Sequence, residues 1–447
     1  MDVTNDLSSR PLSKVEQIIW RLSEAASLNV AMIARVKGQL APTVIRRALN
    51  VLQMQHGFLQ VRVKNTPQGL IYLSDGVPEI PLQVAHAEQD GWEPLVEAEI
   101  NRPIPWRVGP LARCVCVKHS DDRHHLVLTF HHVIGDGMSG VYLVRDLLTA
   151  VASAHLRDSS IERIRAPAAM DQRLPVYARG WYGWCRGLAY QVVNKLADLR
   201  FGLPARIRMD MAVPPDARKV RIISREFVPS ISEEILRRSR REGTTVHAAL
   251  SAAMCLAVVD DMQSTQPVSV KFRTPVNVRQ ELEPGVGDDV GFFASMAFYR
   301  GRVTAQDNFW QLARRIRAHV KRDVQRGLPC VLIRLMPMLY RLVRADQLTD
   351  QEFMRRWYEA TPSTCGITNI GRLDIATQYG EIQLEALHFA VALSALADFS
   401  CTVSSLSGRL HCNFMCPEPV LSTSHAEELV SNIETRILQA VTQDSPV

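Results

Sequence analysis

Residues 131–137 read His-His-Val-Ile-Gly-Asp-Gly, from His131 to Gly137. They follow a β-rich run, HHLVLTF, and precede a stretch whose apolar residues recur at helical spacing, so a strand, a loop and a helix are predicted. A neutral imidazole can accept and return a proton near neutral pH, which suits a reaction in which a hydroxyl or an amine attacks a carbonyl. The two glycines allow a tight turn, and Asp136 could fix the loop by pairing with an arginine from elsewhere.

Outward from this segment, apolar periodicity predicts helices and strands in both halves of the chain. Helices are predicted at 15–27, 43–55, 141–154, 180–200, 246–259 and from 424, and a capping box of Ser230 and Glu233 predicts one from 230 to Gly243. Strands are predicted at 30–40, 58–63, 219–228, 267–273, 292–299, 382–392, 399–405 and 409–415, with a hairpin at 111–131. The fold class is therefore mixed α/β, with two layered lobes of similar size.

The limits of these lobes follow from a change in composition. Residues 166–215 carry prolines among aromatic and basic side chains and are typical of a connection between lobes. We expect an N-terminal lobe at 1–165, a crossover with one basic aromatic helix at 166–215, and a C-terminal lobe at 216–447.

The overall composition excludes several classes of protein. The chain has 447 residues, 47% hydrophobic and 22% charged, with a net charge of +6, which is typical of a globular protein and not of a disordered one. It shows no apolar run long enough to span a bilayer and no apolar segment near its start, so a cytoplasmic protein is expected. The nine cysteines form no C-x-x-C pair, which argues against a disulfide framework and against a metal site and favours buried thiols.

Two other functions fit parts of the sequence. Residues 135–140 match the G-x-G-x-x-G of dinucleotide sites, but Asp136 would face a negative ligand, and Glu162, at the spacing of the ribose-binding acid, does not follow a predicted strand. The mixture of basic and aromatic residues could indicate nucleic-acid binding, yet the motifs of nucleic-acid-binding folds are missing. We expect no nucleic acid partner.

Two stretches are basic and amphipathic, 177–208 and 328–344. They fit a peripheral contact with a membrane surface, the mouth of a lipid-binding tunnel, or an ordinary lobe interface with solvated arginines. Pro329 and Pro337 argue against one long helix in the second stretch.

The His131–Gly137 segment resembles the HHxxxDG motif of acyltransferases that use CoA or carrier-protein thioesters. That superfamily includes nonribosomal peptide condensation domains, free-standing polyketide-associated acyltransferases that make phthiocerol esters, and wax ester synthases. Residues 274–279, TPVNVR, with 287–291, GDDVG, are similar to the PVNxR and GD segments of these enzymes. Residues 368–371, TNIG, are similar to their SNxG segment, and the opening of the chain fits their first elements.

The resemblance implies two chloramphenicol-acetyltransferase-like lobes that form a pseudo-dimer with a central tunnel. His132, the second motif histidine, would lie in the tunnel as general base beside His131. Asp136 would be structural, held by an arginine of the second lobe. A backbone N–H near Gly137 would stabilise the oxyanion.

The same resemblance suggests Arg279 as the partner of Asp136, with Arg273 as the second choice, and Asn369 as a positioning group. It implies no cofactor, because an acyl-CoA or acyl-carrier-protein thioester is the donor substrate. The acceptor would be an alcohol, with an amine as the second choice, in lipid, polyketide or other secondary-metabolite synthesis.

Several features bear on the branch of the superfamily. Residues 398–401, DFSC, lack the glycine of the DFGWG segment, which argues against the plant branch. DGMSG is similar to wax ester synthases, whereas PVNVR and TNIGRL are closer to the polyketide-associated enzymes. No carrier domain is visible, so a free-standing protein is expected. A wax-ester/diacylglycerol-type acyltransferase remains an alternative. So does a non-catalytic module that binds an acyl group or a carrier protein, although it would not need the histidine pair and Asp136.

Overall fold

Two six-stranded mixed sheets form the frame of the protein. The computed structural model describes residues 9–86, 91–153, 166–393 and 396–442. The strands are β1 (Ser9–Pro11), β2 (Asn29–Lys37), β3 (Arg62–Thr66), β4 (Gly69–Leu73), β5 (Leu82–His86), β6 (Ala112–Lys118), β7 (Arg123–His131), β8 (Lys219–Phe227), β9 (Val268–Asn277), β10 (Ala294–Val303), β11 (Cys365–Arg372), β12 (Gln378–Tyr379), β13 (Ile382–Val391), β14 (Ser400–Leu406) and β15 (Arg409–Glu418).

Helices cover the sheets and connect their strands. They are α1 (Lys14–Ala25), α2 (Pro42–Gln55), α3 (Glu93–Asn101), α4 (Gly137–Ser153), α5 (Gly180–Phe201), α6 (Pro229–Arg241), α7 (Val246–Asp261), α8 (Phe309–Gln325), α9 (Leu328–Leu342), α10 (Asp350–Ala360) and α11 (Thr423–Thr442). Within the described residues, no single helix is long and apolar enough to cross a membrane. The pair α6 and α7 is long and apolar enough when the two helices are taken together, but they are bent by 96° relative to each other.

The order of the strands shows how the chain passes between the sheets. The first sheet has the order β12-β13-β2-β7-β6-β5, the second has β10-β9-β11-β14-β15-β8, and a small sheet has β1-β4-β3. Among the described strands, β5 with β6, β9 with β11 and β11 with β14 pair in parallel, and the other pairs are antiparallel. The mixed α/β class and the two lobes are therefore confirmed.

One strand pair departs from the expected division of the chain. β12 and β13 come from the C-terminal part but belong to the first sheet, where β13 pairs with β2 from Gln383↔Lys37 to Val391↔Val30. The prediction of a purely C-terminal lobe over 216–447 is therefore wrong for these residues, because backbone pairing places them beside the N-terminal strands. The expected limit at 165 lies outside the described residues, and the limit at 215 stays a prediction.

Buried polar bonds join the two sheets where β13 faces β14 and β15. Asn413 Nδ2 donates to the carbonyl of Phe389 over 2.8 Å, and Ser404 Oγ donates to the carbonyl of Leu387 over 2.9 Å. Apolar side chains from both sheets, among them Ile33, Ile222 and Met415, form a buried cluster beside these bonds. The junction between the lobes is thus partly polar and fully packed.

Most predicted elements are present, including the hairpin of β6 and β7, and the exceptions have physical causes. Residues Gly57–Gln60 form a 3₁₀ turn instead of a strand, because Phe58 and Leu59 are both drawn into the core. α6 begins at Pro229, a favoured first helical residue, with Val228 as N-cap, so Ser230 makes no capping box. α9 continues through Pro337 because its apolar face is buried against its neighbours.

The buried thiols and the helix predicted near 180–200 also follow the expectations. Eight of the nine cysteines are buried, all nine are free, and Cys185 is half-buried. The predicted helix of the crossover is α5. Beyond it, Arg206 and Arg218 both pair with the buried carboxylate of Asp398, at 3.0 and 2.8 Å. The aspartate of the DFSC segment therefore anchors the connection between the lobes.

Replacing Asn413 tests the polar junction. We expect Asn413→Ala to lower the free energy of unfolding by about 1–3 kcal/mol, because it removes the buried hydrogen bonds of Asn413 Nδ2 to the Phe389 carbonyl and to His388 Nδ1. Chemical denaturation measures this, with Asn65→Ala, at an exposed position of β3, as the matched control. Equal stability of the two variants would contradict the role of the junction.

Candidate active site

The His131–Gly137 segment lies where β7 ends and α4 begins. Its backbone forms a 3₁₀ turn over His132–Ile134 before α4 starts at Gly137. A Cβ on Gly135 would stand 2.8 Å from the Phe130 ring, and one on Gly137 would stand 2.9 Å from Ile370 Cγ2. Both glycines are therefore required by the close approach of neighbouring side chains.

The ring of His132 has one engaged nitrogen. Nδ1 lies 2.8 Å from the carbonyl oxygen of Gly135, so Nδ1 carries the proton and donates it to this oxygen. Nε2 then has its lone pair available and makes no hydrogen bond to any described residue. The edge of the Phe292 ring packs against the imidazole, with ring centroids 5.1 Å apart. Burial lowers the pKa of His132, so the neutral form is favoured at neutral pH.

The ring of His131 has the opposite arrangement. Its Nδ1 accepts the backbone N–H of Val133 at 3.0 Å, so its proton lies on Nε2. Nε2 donates to Ser23 Oγ at 2.7 Å, and this hydroxyl donates to the carbonyl of Trp20 at 2.6 Å. Burial lowers the pKa of His131 to about 3, with a smaller effect from His132. His131 therefore ties the motif to α1 and has no nitrogen left for a substrate.

The carboxylate of Asp136 is buried and fully bonded. Oδ2 accepts from Arg279 at 2.8 Å and from the backbone N–H of Phe293 at 2.9 Å, and Oδ1 accepts from the backbone N–H of Ser139 at 2.8 Å. Burial alone would raise the pKa of Asp136, but the charge of Arg279 and these bonds offset it, so the pKa is lowered. Asp136 is a charged, structural group at the start of α4.

Arg279 reaches Asp136 from the segment that follows β9. It is 3% exposed, and its second terminal nitrogen donates to Ser139 Oγ at 2.8 Å. The backbone N–H of Gly291 also donates to Ser139 Oγ, at 3.1 Å. The PVNVR and GDDVG stretches therefore meet the histidine motif in space.

The other two predicted residues, Arg273 and Asn369, make no hydrogen bond to the Asp136–Arg279 pair. Arg273 bonds to Ser363 Oγ at 2.8 Å and to the Thr361 carbonyl at 3.3 Å, so it is not a partner of Asp136. Burial lowers its pKa to about 10. Asn369 Oδ1 accepts the backbone N–H of Gly371 at 2.7 Å in an irregular part of β11. The next residue, Ile370, lies against Gly137 at the start of α4, so Asn369 is adjacent in sequence to a residue that contacts the motif.

Three contributors to the site were not predicted from the sequence: Ser139, Ser23 and Phe292. The sequence does carry a signal for Ser139. Aspartate is a favoured N-cap residue, so Asp136 just before a predicted helix is expected to accept the backbone N–H of the residue three positions later, which is Ser139. Ser23 and Phe292 belong to segments far away in sequence, and only the packing of the lobes brings them to the histidines.

The dinucleotide interpretation is wrong. Both neighbours of β7 are antiparallel to it, so the parallel strand–helix–strand unit of such a site is missing around this loop. The carboxylate of Asp136 also accepts the N–H of Ser139 at the start of α4, a group that such a site would use for the pyrophosphate. Glu162 lies outside the described residues.

A cavity of about 730 Å³ adjoins the motif. Its lining includes Ser23, Asn29, Trp106, His131 and Arg218, whereas His132 is not part of it. Within the described ranges, no three His, Cys, Asp or Glu side chains stand together as a metal site would require. The cavity therefore opens beside the first histidine of the pair only.

Two family models match the chain. A condensation-domain model matches residues 11–162, and a model of the C-terminus of phthiocerol/phthiodiolone dimycocerosyl transferases matches residues 218–415. The chain belongs to the condensation-domain acyltransferase superfamily. Both halves of this superfamily member thus carry its signature, and the second half matches the polyketide-associated branch.

Individual relatives agree with this assignment. A linear gramicidin synthase of Brevibacillus parabrevis is 25% identical over 329 residues, 69% of this chain. The malpibaldin synthetase of Mortierella alpina is 23% identical over 322 residues, 68% of this chain. The matched region is only 6% of the length of each of these two relatives.

Solved structures share the fold over nearly the whole chain. Polyketide synthase associated protein 5 of Mycobacterium tuberculosis is similar with a TM-score of 0.69, 16% identity and 98% coverage of both chains. The trichothecene 15-O-acetyltransferase of Fusarium sporotrichioides has a TM-score of 0.73 and 12% identity, with 97% of this chain and 95% of that chain covered. These likenesses confirm the two-lobed architecture.

The ion pair inside the site predicts a large loss of stability when it is broken. We expect Asp136→Ala to lower the free energy of unfolding by about 3–5 kcal/mol, because it leaves the buried charge of Arg279 without a carboxylate. Thermal denaturation measures this. Asp75→Ala is the control, since Asp75 pairs with Arg62 while 74% exposed and should change stability by less than about 1 kcal/mol. A normal melting temperature for Asp136→Ala would refute the structural role.

Proposed function

We propose that the protein transfers an acyl group from a CoA or carrier-protein thioester to a hydroxyl acceptor, with His132 as the general base. The observation that supports this most directly is the ring of His132. Its Nδ1–H is held by the carbonyl of Gly135, so the Nε2 lone pair is unengaged. A base needs this combination of a fixed orientation, a neutral ring and a free lone pair.

The reaction follows from that lone pair. Nε2 of His132 takes the proton of the acceptor hydroxyl as its oxygen attacks the thioester carbonyl. The tetrahedral oxyanion then collapses, the carbon–sulfur bond breaks, and the leaving thiolate takes the proton back from the imidazolium. The products are an ester and a free thiol, and no cofactor is consumed.

Backbone groups at the start of α4 support the oxyanion in this proposal. The N–H of Ser139 is occupied by Asp136, which leaves those of Gly137 and Met138 as the candidate donors. General-base help contributes about 10²–10⁴ in rate, and positioning of donor and acceptor supplies much of the rest. His131 and Asn369 are positioning residues in this proposal, since both nitrogens of His131 and Oδ1 of Asn369 bond to nearby protein groups.

The family assignment supports the substrate classes. Condensation-type domains and polyketide-associated transferases both match the chain, which favours an acyl thioester of secondary metabolism as donor and an alcohol as acceptor. An amine acceptor is the second choice.

Acceptor-dependent release of thiol tests the reaction. With a panel of acyl-CoA and acyl-carrier-protein donors and alcohols or amines, we expect the wild type to release thiol at a rate that rises with acceptor. His132→Ala should lose at least about 10²-fold in this rate because the base is gone, while its melting temperature stays normal.

The control is His86→Ala, at an exposed histidine on β5, which should keep full activity. Both variants retain all nine cysteines, so the background of protein thiols is unchanged. Full activity of His132→Ala would exclude the proposed mechanism, and no release with either type of donor would favour a non-catalytic binding module.

The pH dependence of kcat/KM gives an independent test. A base works only when deprotonated, and burial lowers the pKa of His132, so the acid limb should lie below pH 6.5, the ordinary value for histidine. We therefore expect kcat/KM to be constant from about pH 8 down to about pH 6.5 and to fall below that. A decline that begins above pH 7 would argue against His132 as a buried neutral base.

A further inference from the structure

Exposed apolar side chains are concentrated on one part of the surface. Of the sixteen large apolar residues that are exposed in the described part of the chain, ten lie between Val176 and Leu203. Trp181 is 76% exposed and Leu199 is 83% exposed. Single exposed apolar residues are ordinary, but a contiguous group of this size is typical of an interaction surface.

The exposed residues form one face of α5. Six of them recur at helical spacing and define the outer face: Trp181, Trp184, Leu188, Val192, Leu196 and Leu199. The opposite side carries Gly183 and Gly187, which are buried. A Cβ on Gly187 would stand 2.5 Å from Leu335 of α9, so the helices are in close contact there. The inner face therefore holds α5 to the protein, and the outer face is exposed.

The charges around the outer face are mostly positive. Lys195 and Arg200 are exposed on α5 and form no ion pair with a described residue. The single acidic residue of the helix, Asp198, is paired with Arg300. An exposed apolar face that carries these two unpaired cations is complementary to a surface that is apolar inside and anionic at its boundary.

We propose that the outer face of α5 docks the protein on an anionic lipid membrane. The helix would lie in the plane of the interface, with its apolar residues among the acyl chains and the basic residues at the headgroups. At 22 residues it is about 33 Å long, and Trp181 and Trp184 belong to the residue type that prefers the headgroup level.

A second copy of the chain fits this face less well. In a symmetric dimer the same surface meets itself, so Lys195 and Arg200 would approach the cations of the other copy and repel them. Anionic lipids present the opposite charge along the whole helix. The proposal concerns a surface separate from His132 and does not rest on the proposed acyl transfer.

Flotation with vesicles tests the docking. The wild type should float with phosphatidylcholine vesicles that contain phosphatidylglycerol, and should float much less with phosphatidylcholine alone or at high salt. A variant with Trp181→Ser, Val192→Ser and Leu199→Ser should lose binding to the anionic vesicles. The matched control carries Val108→Ser, Met211→Ser and Val228→Ser, which are also exposed positions but lie outside α5, and should bind as the wild type does.

A charge variant separates the electrostatic part. Lys195→Glu with Arg200→Glu should weaken binding to anionic vesicles at least about tenfold, and Arg240→Glu with Arg241→Glu on α6 should not. Thiol release with water-soluble substrates should be unchanged in all these variants, since none changes the site.

Three results would overturn the docking: a folded wild type that does not float with anionic vesicles, an apolar-face variant that floats normally, or a wild-type dimer in light scattering that the same variant abolishes. If the wild type releases no thiol in the activity assay, that result would instead count against the proposed function and leave the docking proposal unaffected.

Discussion

The buried ion pair between Asp136 and Arg279 is the contact on which the rest of the site depends. Two charges are removed from water at a high cost, which is offset only because each is also bonded to neutral groups, among them the Phe293 N–H and Ser139. The pair joins the loop after β7 to the segment after β9. It thereby holds the start of α4, and with it the turn whose Gly135 carbonyl orients His132.

The two adjacent histidines illustrate how backbone geometry assigns roles to identical side chains. His131 accepts a backbone N–H through Nδ1, whereas His132 donates to a carbonyl through Nδ1. The first ring is therefore closed to substrates on both nitrogens, and the second keeps one lone pair. Burial keeps both rings neutral near pH 7, so the difference is one of hydrogen bonding rather than of charge.

Much of the fold was predictable because its elements carry strong local signals. The helices at 15–27 and 43–55 and the hairpin at 111–131 were confirmed, since their apolar periodicity matches the face they bury. The 3₁₀ turn at Gly57–Gln60 was missed because the apolar pattern of residues 58–63 also fits a strand. In the structure the neighbouring residues Phe58 and Leu59 both enter the core, which a turn allows. β13 was placed correctly along the chain, but its pairing with β2 depends on contacts more than 300 residues apart.

The sequence by itself determined the order of helices and strands, the superfamily, and the position of His132 and Asp136 in one loop between a strand and a helix, because these depend on local periodicity and on motifs that survive distant divergence. Only the tertiary structure decided which arginine meets Asp136, which histidine nitrogen is free, and that β12 and β13 belong to the first sheet. It also decided that the apolar face of α5 points to solvent, whereas periodicity alone fits burial equally well. The physical reason is the same in each case: hydrogen bonding and burial depend on which distant segments meet, and this information is spread over the whole chain.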